Sequence, residues 1–360
     1  MFAGIIRFSV ENKLVIGLLV LALVAFGSYS LTQLPIDAVP DITNNQVLII
    51  TVSPSLAAPE VERLITFPIE QAVVNIPGKT ELRSFSRFGL SLVTIVFNDE
   101  TDVYWARQQV SERLIQLQQQ IPAYLGTPEL GPVSTGLGEI YQYSVKAKKG
   151  YEGKYTPTEL RDIQDWTIRK QLLGTEGVAD VSSFGGGVKQ YEVAVNPDKL
   201  KSHNITLSEL YSVLNTNNQN AGGAYIERNS MALFIRTEGL LHSKEEIENT
   251  LVKTVDGIPL LVKDIADIRL GTAVRYGAMH QTDYGEVAGA IVMMIKGGNS
   301  SQTIKNVKQR IAEIQKSLPE GVEIEPFLDR TKMVNNAIST VETNLLEGAL
   351  IVVFILVLFL

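Results

Sequence analysis

Carboxylates are the side chains in this sequence most able to do chemistry. Glu139 stands in the run GPVSTGLGEIYQYSV, after a glycine-rich loop and before an apolar, aromatic strand. Flexible backbone there can hold a carboxylate at the edge of a cleft. Zinc-like cations accept carboxylate oxygens at about 2.0–2.2 Å. One carboxylate binds weakly, so a metal site at Glu139 needs partners from elsewhere; an ordinary loop-end carboxylate fits the residues as well. Asp37 and Asp41 are spaced i,i+4 and could form a cation-attracting mouth or simply be solvated. Glu245, Glu246 and Glu248 read as the wet face of a surface helix. Glu323 and Glu325 alternate along a strand and are expected to face water.

Other chemistry is sparse. His203, His242 and His280 are far apart and none has HExxH spacing. There is no GxxxxGK[ST] motif. Gly185–Gly187 lies between two strands with no helix following, which reads as a hairpin turn rather than a phosphate cradle. With no cysteine, disulfides and thiolate metal sites are ruled out. Met293 and Met294 adjoin on a strand, so they point to opposite faces, and the methionines form no thioether cluster. These residues form no hydrolase or transferase constellation, and the chain is read as a non-enzyme needing no cofactor.

The elements that must position these groups begin with two apolar ends. From Leu14 to Ile36 there is no charge. That length exceeds the roughly 20 helical residues a bilayer core requires. Arg7 and Lys13 precede the run and Asp37 and Asp41 follow it, so the N-terminus is expected inside and the next region outside. The run is longer than a signal-peptide core, which favours an uncleaved helix. At the other end, GALIVVFILVLFL reads as the opening of a second span, cut short. The net charge of −7 and the absence of a basic stripe argue against nucleic acid.

The middle alternates strands and helices. Strand Asn45–Ser53, helix Ala57–Asn75 with a kink at Pro68, strands Thr80–Phe88 and Leu90–Phe97 around Gly89, and helix Asp99–Gln120 capped by Asp99 or Thr101 make a first β-α-β-β-α unit. The order recurs as strand Ile140–Lys146, helix Pro157–Leu173 capped by Thr156 or Thr158, strands Val178–Phe184 and Lys189–Asn196, and a helix from Leu207. IPGKTELRSFSRFGLSLVTIVFND at 76–99 parallels TEGVADVSSFGGGVKQYEVAVNPD at 175–198, which predicts a repeat. Residues 218–275 read as an interruption of short strands and one acidic helix. The second unit then resumes with strand Ala288–Lys296, helix Ser301–Leu318 and strand Val322–Leu328. Lys332–Gly348 is an amphipathic lead-in to the second span. The expected divisions are 1–36, 37–133, 134–217, 218–275, 276–331 and 332–360.

Several long motifs in order resemble one family: PIDAVPDITNNQV (35–47), IEQAVVNIPG (69–78), FSRFGLSLVTIVF (85–97), DVYWARQQVSERL (102–114), ELGPVSTGLGEIYQY (129–143), DWTIRKQL (165–172), EVAG (286–289) and SLPEGVEIEPFLDRT (317–331). The chain resembles the heavy-metal efflux branch of the resistance–nodulation–division transporters, of the cobalt–zinc–cadmium type, in its N-terminal part. The D-A-x-P-D pattern at 37–41 separates this branch from the drug-exporting one. The resemblance implies an α+β membrane protein with two ferredoxin-like porter subdomains and an inserted docking element. It implies a homotrimer in the bacterial inner membrane, with residues 37 to about 345 in the periplasm. It also implies proton-driven cation antiport, joined to an adaptor and an outer-membrane channel. Zinc, cobalt or cadmium would be cargo. An acidic residue in a GLGEIY-like motif resembles a cleft metal ligand, which raises the metal reading of Glu139. Export of organic solutes, or a membrane-anchored binding or scaffold module, are the alternatives.

Overall fold

The structure, a computed structural model, describes residues 8–33, 42–54, 56–118, 121–122, 125–228, 231–255, 257–275 and 277–359. The charge-free N-terminal run forms helix α1 (Lys13–Gln33), apolar all round, with none of Lys13–Ser30 buried. It is long and apolar enough to cross a membrane. Asp37 and Asp41 lie outside the described residues.

The first unit runs β1 (Asn45–Val52), α2 (Ala58–Val61, a π turn at Glu62–Thr66, then Phe67–Val73), β2 (Lys79–Arg87), β3 (Leu90–Phe97), α3 (Val103–Gln118) and β4 (Glu129–Leu130). Its antiparallel sheet has the order β2-β3-β1-β4. Gly89, with φ of 75°, makes the β2–β3 turn. Val47, Ile49, Val93 and Ile95 pack beneath Ile65, Ile69 and Val110. The kink expected at Pro68 takes the form of the π turn. Phe67 donates to the Glu62 carbonyl five residues back, just before the proline removes a donor. Helix α3 begins later than expected. Asp102, rather than Asp99 or Thr101, caps it by accepting from the Trp105 amide at 2.8 Å.

The second unit starts with β5 (Glu139–Ala147), α4 (Pro157–Ile163, a π turn at Gln164–Ile168, then Arg169–Leu172) and β6 (Val178–Gly185). Thr156 caps α4 in a reciprocal box. Its Oγ1 accepts from the Glu159 amide at 3.2 Å, and Glu159 Oε2 accepts from the Thr156 amide at 2.8 Å. Those bonds hold the Glu159 carboxyl below the usual carboxylate range. Thr156→Ala is therefore expected to cost about 1 kcal/mol, read as a lower thermal midpoint with unchanged metal binding.

At this point the repeat with 76–99 breaks, and one expectation is corrected. Gly185–Gly187 is not a hairpin turn, and β7 (Lys189–Val195) does not pair with β6. It pairs with β12 (Ala266–Thr272) in a separate ribbon. Gly185 and Gly186 both have left-handed φ, 68° and 62°. A Cβ on Gly186 would meet the Pro157 carbonyl oxygen at 2.4 Å, so glycine lets the chain leave the sheet across the start of α4. Around the ribbon, α5 (Pro197–Ser202), α6 (Leu207–Thr216), α7 (Lys244–Glu248), β10 (Leu251–Val255), β11 (Ile258–Leu261) and α8 (Val262–Ile265) share a third core that includes Leu200, Leu210, Ile247 and Ile265. An exposed hairpin, β8 (Ala221–Arg228) with β9 (Met231–Thr237), projects from the chain between α6 and α7.

The place beside β5 is filled by β14 (Gly285–Met294), which follows the short strand β13 (Met279–Gln281). Helix α9 (Ser300–Ser317) and strand β15 (Val322–Asp329) complete the unit, with main order β6-β14-β5-β15. In position along each β-α-β-β-α-β path this order matches the first sheet. The physical reason for the exchange is visible in the two strands. GEVAGAIVMM is almost continuously apolar, as a central strand flanked on both sides requires, whereas KQYEVAV places charged and polar residues among its apolar ones. The last helix, α10 (Thr331–Phe359), joins the amphipathic lead-in and the apolar run in one piece, and it too is long and apolar enough to cross a membrane.

Candidate metal site on the open face of the second sheet

One face of the second sheet lies under α4 and α9. Tyr143 and Val145 point into that core. The Tyr143 hydroxyl donates to Gln164 Oε1 at 2.9 Å, and Gln164 in turn donates to Ser183 Oγ at 3.1 Å, so the π turn carries a satisfied buried amide. Burial pushes the Tyr143 hydroxyl pKa well up. The opposite face carries Gln142, Ser144 and Lys146 and is polar.

Glu139 is half-buried at the first position of β5, directly after a single 3-10 turn, Gly136–Gly138. Its Oε2 accepts from Gln142 Nε2 at 3.1 Å. The loop before it is tied to the end of β14. Ser134 Oγ donates to the Met294 carbonyl at 2.8 Å and the Gly138 amide donates to the Thr135 carbonyl at 2.9 Å. A Cβ on Gly138 would lie 2.5 Å from Ser134 Oγ and 3.0 Å from the Met294 oxygen, so only glycine allows this close approach.

The sheet register supplies a neighbour that sequence reasoning missed. Met293 stands opposite Glu139 on one side and opposite Asp180 of β6 on the other. Directly opposed residues share a face, so Glu139, Met293 and Asp180 form a row across three strands. Strands about 4.8 Å apart put the outer two backbones roughly 10 Å apart, within reach of two carboxylates joined through one cation. Here Asp180 is instead held by Arg169 Nη2 at 3.3 Å. Met294, as its adjacency to Met293 requires, is buried in the core, where its sulfur accepts from Ser300 Oγ. The sequence signal for Asp180 was an acid one step from the buried Val181. Nothing local linked it to a glutamate in another strand.

Among the described residues no group of three or more histidine and acidic side chains is arranged to hold a metal. The histidines are not brought together. Glu246 accepts from the His242 amide and Glu248 pairs with Lys244, as a surface helix would have it. Glu323 and Glu325 depart from expectation: they do not simply face water but flank the buried Lys146. Its ammonium bonds Glu325, lies 3.6 Å from Glu323 Oε1, and sits 3.6 Å above the Tyr284 ring. Gln281 Nε2 donates to Glu325 at 2.8 Å and closes the cluster.

With this architecture in view, comparison with known proteins is decisive. The profile of the AcrB/AcrD/AcrF family matches residues 5–360. The chain belongs to that family. Within it, the chain is 43% identical to the cation efflux system protein CzcA of Alcaligenes sp. (strain CT14), over all of this chain and 34% of that protein. It is 37% identical to the cation efflux system protein CusA of Escherichia coli (strain K12), again over all of this chain and 34% of the relative. A crystal structure of a heavy metal efflux pump superposes with a TM-score of 0.84 at 32% identity, covering 99% of this chain and 35% of the other. The chain thus spans about a third of the length of the curated relatives it matches. These AcrB/AcrD/AcrF relatives are transporters, and the resemblance to their heavy-metal branch stands.

Proposed function

We propose that this chain is part of a proton-driven inner-membrane pump that exports divalent heavy-metal cations, with zinc, cobalt or cadmium as cargo. The observation that carries this reading is the placement of Glu139: a carboxylate held by a glycine-rich loop at the open face of a sheet, in one row with Met293 and Asp180. A thioether and two carboxylates are a mixed, incomplete set. Further ligands would come from the two thirds of the pump outside this chain. The two β-α-β-β-α-β units act as ferredoxin-like porter subdomains, and the third core with the β8–β9 hairpin acts as the docking element. Because β7 belongs to that core, the docking element begins near residue 187 rather than 218. Trimer formation, an adaptor and an outer-membrane channel complete the working assembly, with the units in the periplasm.

The test is tolerance. Cells carrying the complete gene should survive raised zinc, cobalt or cadmium that arrests cells without it. Unchanged tolerance despite normal membrane expression sinks the metal reading. Reduced accumulation of an organic dye in the same cells would instead support the organic-solute alternative.

A further inference from the structure

Asp329 and Arg330 join β15 to α10, and Arg330 does more than link them. Its carbonyl accepts the first helical bond, from the Val334 amide at 3.0 Å, so it occupies the N-cap position of α10. Its own amide donates to the Ile140 carbonyl at 3.3 Å, and its Nη1 donates to the Leu137 carbonyl at 2.7 Å. Leu137 lies in the 3-10 turn before Glu139, and Ile140 is the residue after it. One arginine therefore brackets Glu139 by the backbone on both sides. A guanidinium bond to a carbonyl is charge-assisted and stronger than a neutral one.

The helix end that carries Arg330 is itself firmly seated. Asp329 Oδ1 accepts from the Thr331 amide at 2.9 Å, Lys308 of α9 bonds Thr331 Oγ1 at 2.9 Å and Asp329 Oδ2 at 2.5 Å, and Val334 is buried in the core. Burial pushes the Asp329 carboxyl up, but the bonds from Lys308 and Thr331 outweigh it and hold the group below its usual value. Asp329 thus stays charged and keeps the helix start in place.

We infer that Arg330 is a positioning residue: it makes the placement of Glu139 depend on the setting of α10, the helix read above as membrane-crossing. The inference rests on the metal reading of Glu139 for its consequence, but the mechanical link can be tested without it. A change in α10 moves Arg330, and with it the Leu137 and Ile140 carbonyls. By linkage the effect must run both ways, so occupancy at Glu139 must also stabilise the start of α10.

The experiment is hydrogen exchange on the complete pump, wild type against Arg330→Gln, with zinc chloride as the probe. Loop amides at 134–140 should exchange about tenfold faster in Arg330→Gln, while those of 157–172 and 300–317 stay unchanged. Zinc should slow exchange at 332–334 in the wild type and not in the variant, and zinc affinity should fall three- to tenfold. Arg330→Lys, which keeps the charge but loses the fork, should lie between the two; it also serves as the comparison if Arg330→Gln does not assemble. Unchanged loop exchange overturns the inference. So does an equal rise across the whole unit, which would mark a purely structural role. A wild-type pump that binds no zinc removes the metal reading, and loop exchange alone then decides the link.

Discussion

Replacing Glu139 by glutamine should weaken zinc binding by the complete pump tenfold or more and cut metal tolerance to match, with assembly and thermal stability intact. Each tenfold change is about 1.4 kcal/mol. Glutamine keeps the size of the side chain and can still accept from Gln142, so the fold loses little. It loses the charge and the anionic oxygens that a hard or borderline cation requires. Asp180→Asn should have the smaller effect, because Arg169 already occupies that carboxylate and must release it when metal binds. If the two carboxylates share a cation, the double variant should be less than additive by more than about 0.5 kcal/mol. Zinc affinity and tolerance equal to wild type in Glu139→Gln would remove the site.

The second large effect is expected at Lys146. Its side chain is 3% exposed, a burial that lysine tolerates only when paired. Burial pulls the ammonium pKa down, but the bonds to Glu325 and Tyr284 outweigh it and the net shift is upward. Glu325→Leu leaves the ammonium with Glu323 and the Tyr284 ring and should cost roughly 2–3 kcal/mol, somewhat less than breaking a fully buried pair because Glu325 is half exposed. The sign with pH follows from the carboxylate. The Lys146 bond, then that from Gln281, hold Glu325 below its ordinary value. A depressed carboxylate contributes stability that is present above its unfolded pKa and is lost as pH falls through the lower folded value. Wild-type thermal stability should therefore fall from about pH 5 downward, and Glu325→Leu should flatten that limb. The same acid limb in both proteins would show that the pair contributes nothing.

Much of the local structure could be read from residue order. The charge-free run became α1, the Thr156–Glu159 box started α4, and Gly89 turned the chain between β2 and β3. Each depends on neighbours within a few positions, where spacing and side-chain type are sufficient. Pro68 shows the limit even at short range. A disruption was foreseeable, but its form as a π turn depended on the packing of Ile65 and Ile69 into the first core.

Glu139, with its position at the entrance to β5, was likewise visible in the GLGEIY run. Its surroundings were not. Which strand lies beside β5 is settled by the summed burial and hydrogen bonding of the whole sheet, and the winner, β14, comes from more than a hundred residues beyond β6's start. That choice puts Met293 and Asp180 in the row with Glu139 and sends β7 to another core. It also brings Lys146 between two glutamates that alternate on their own strand as though for water. Residue types and short spacings thus set the membrane-length helices, the Thr156 cap, the Gly89 turn and one candidate ligand. Only long-range pairing, where contact energy outweighs local preference, set that ligand's neighbours and tied its loop through Arg330 to the start of α10.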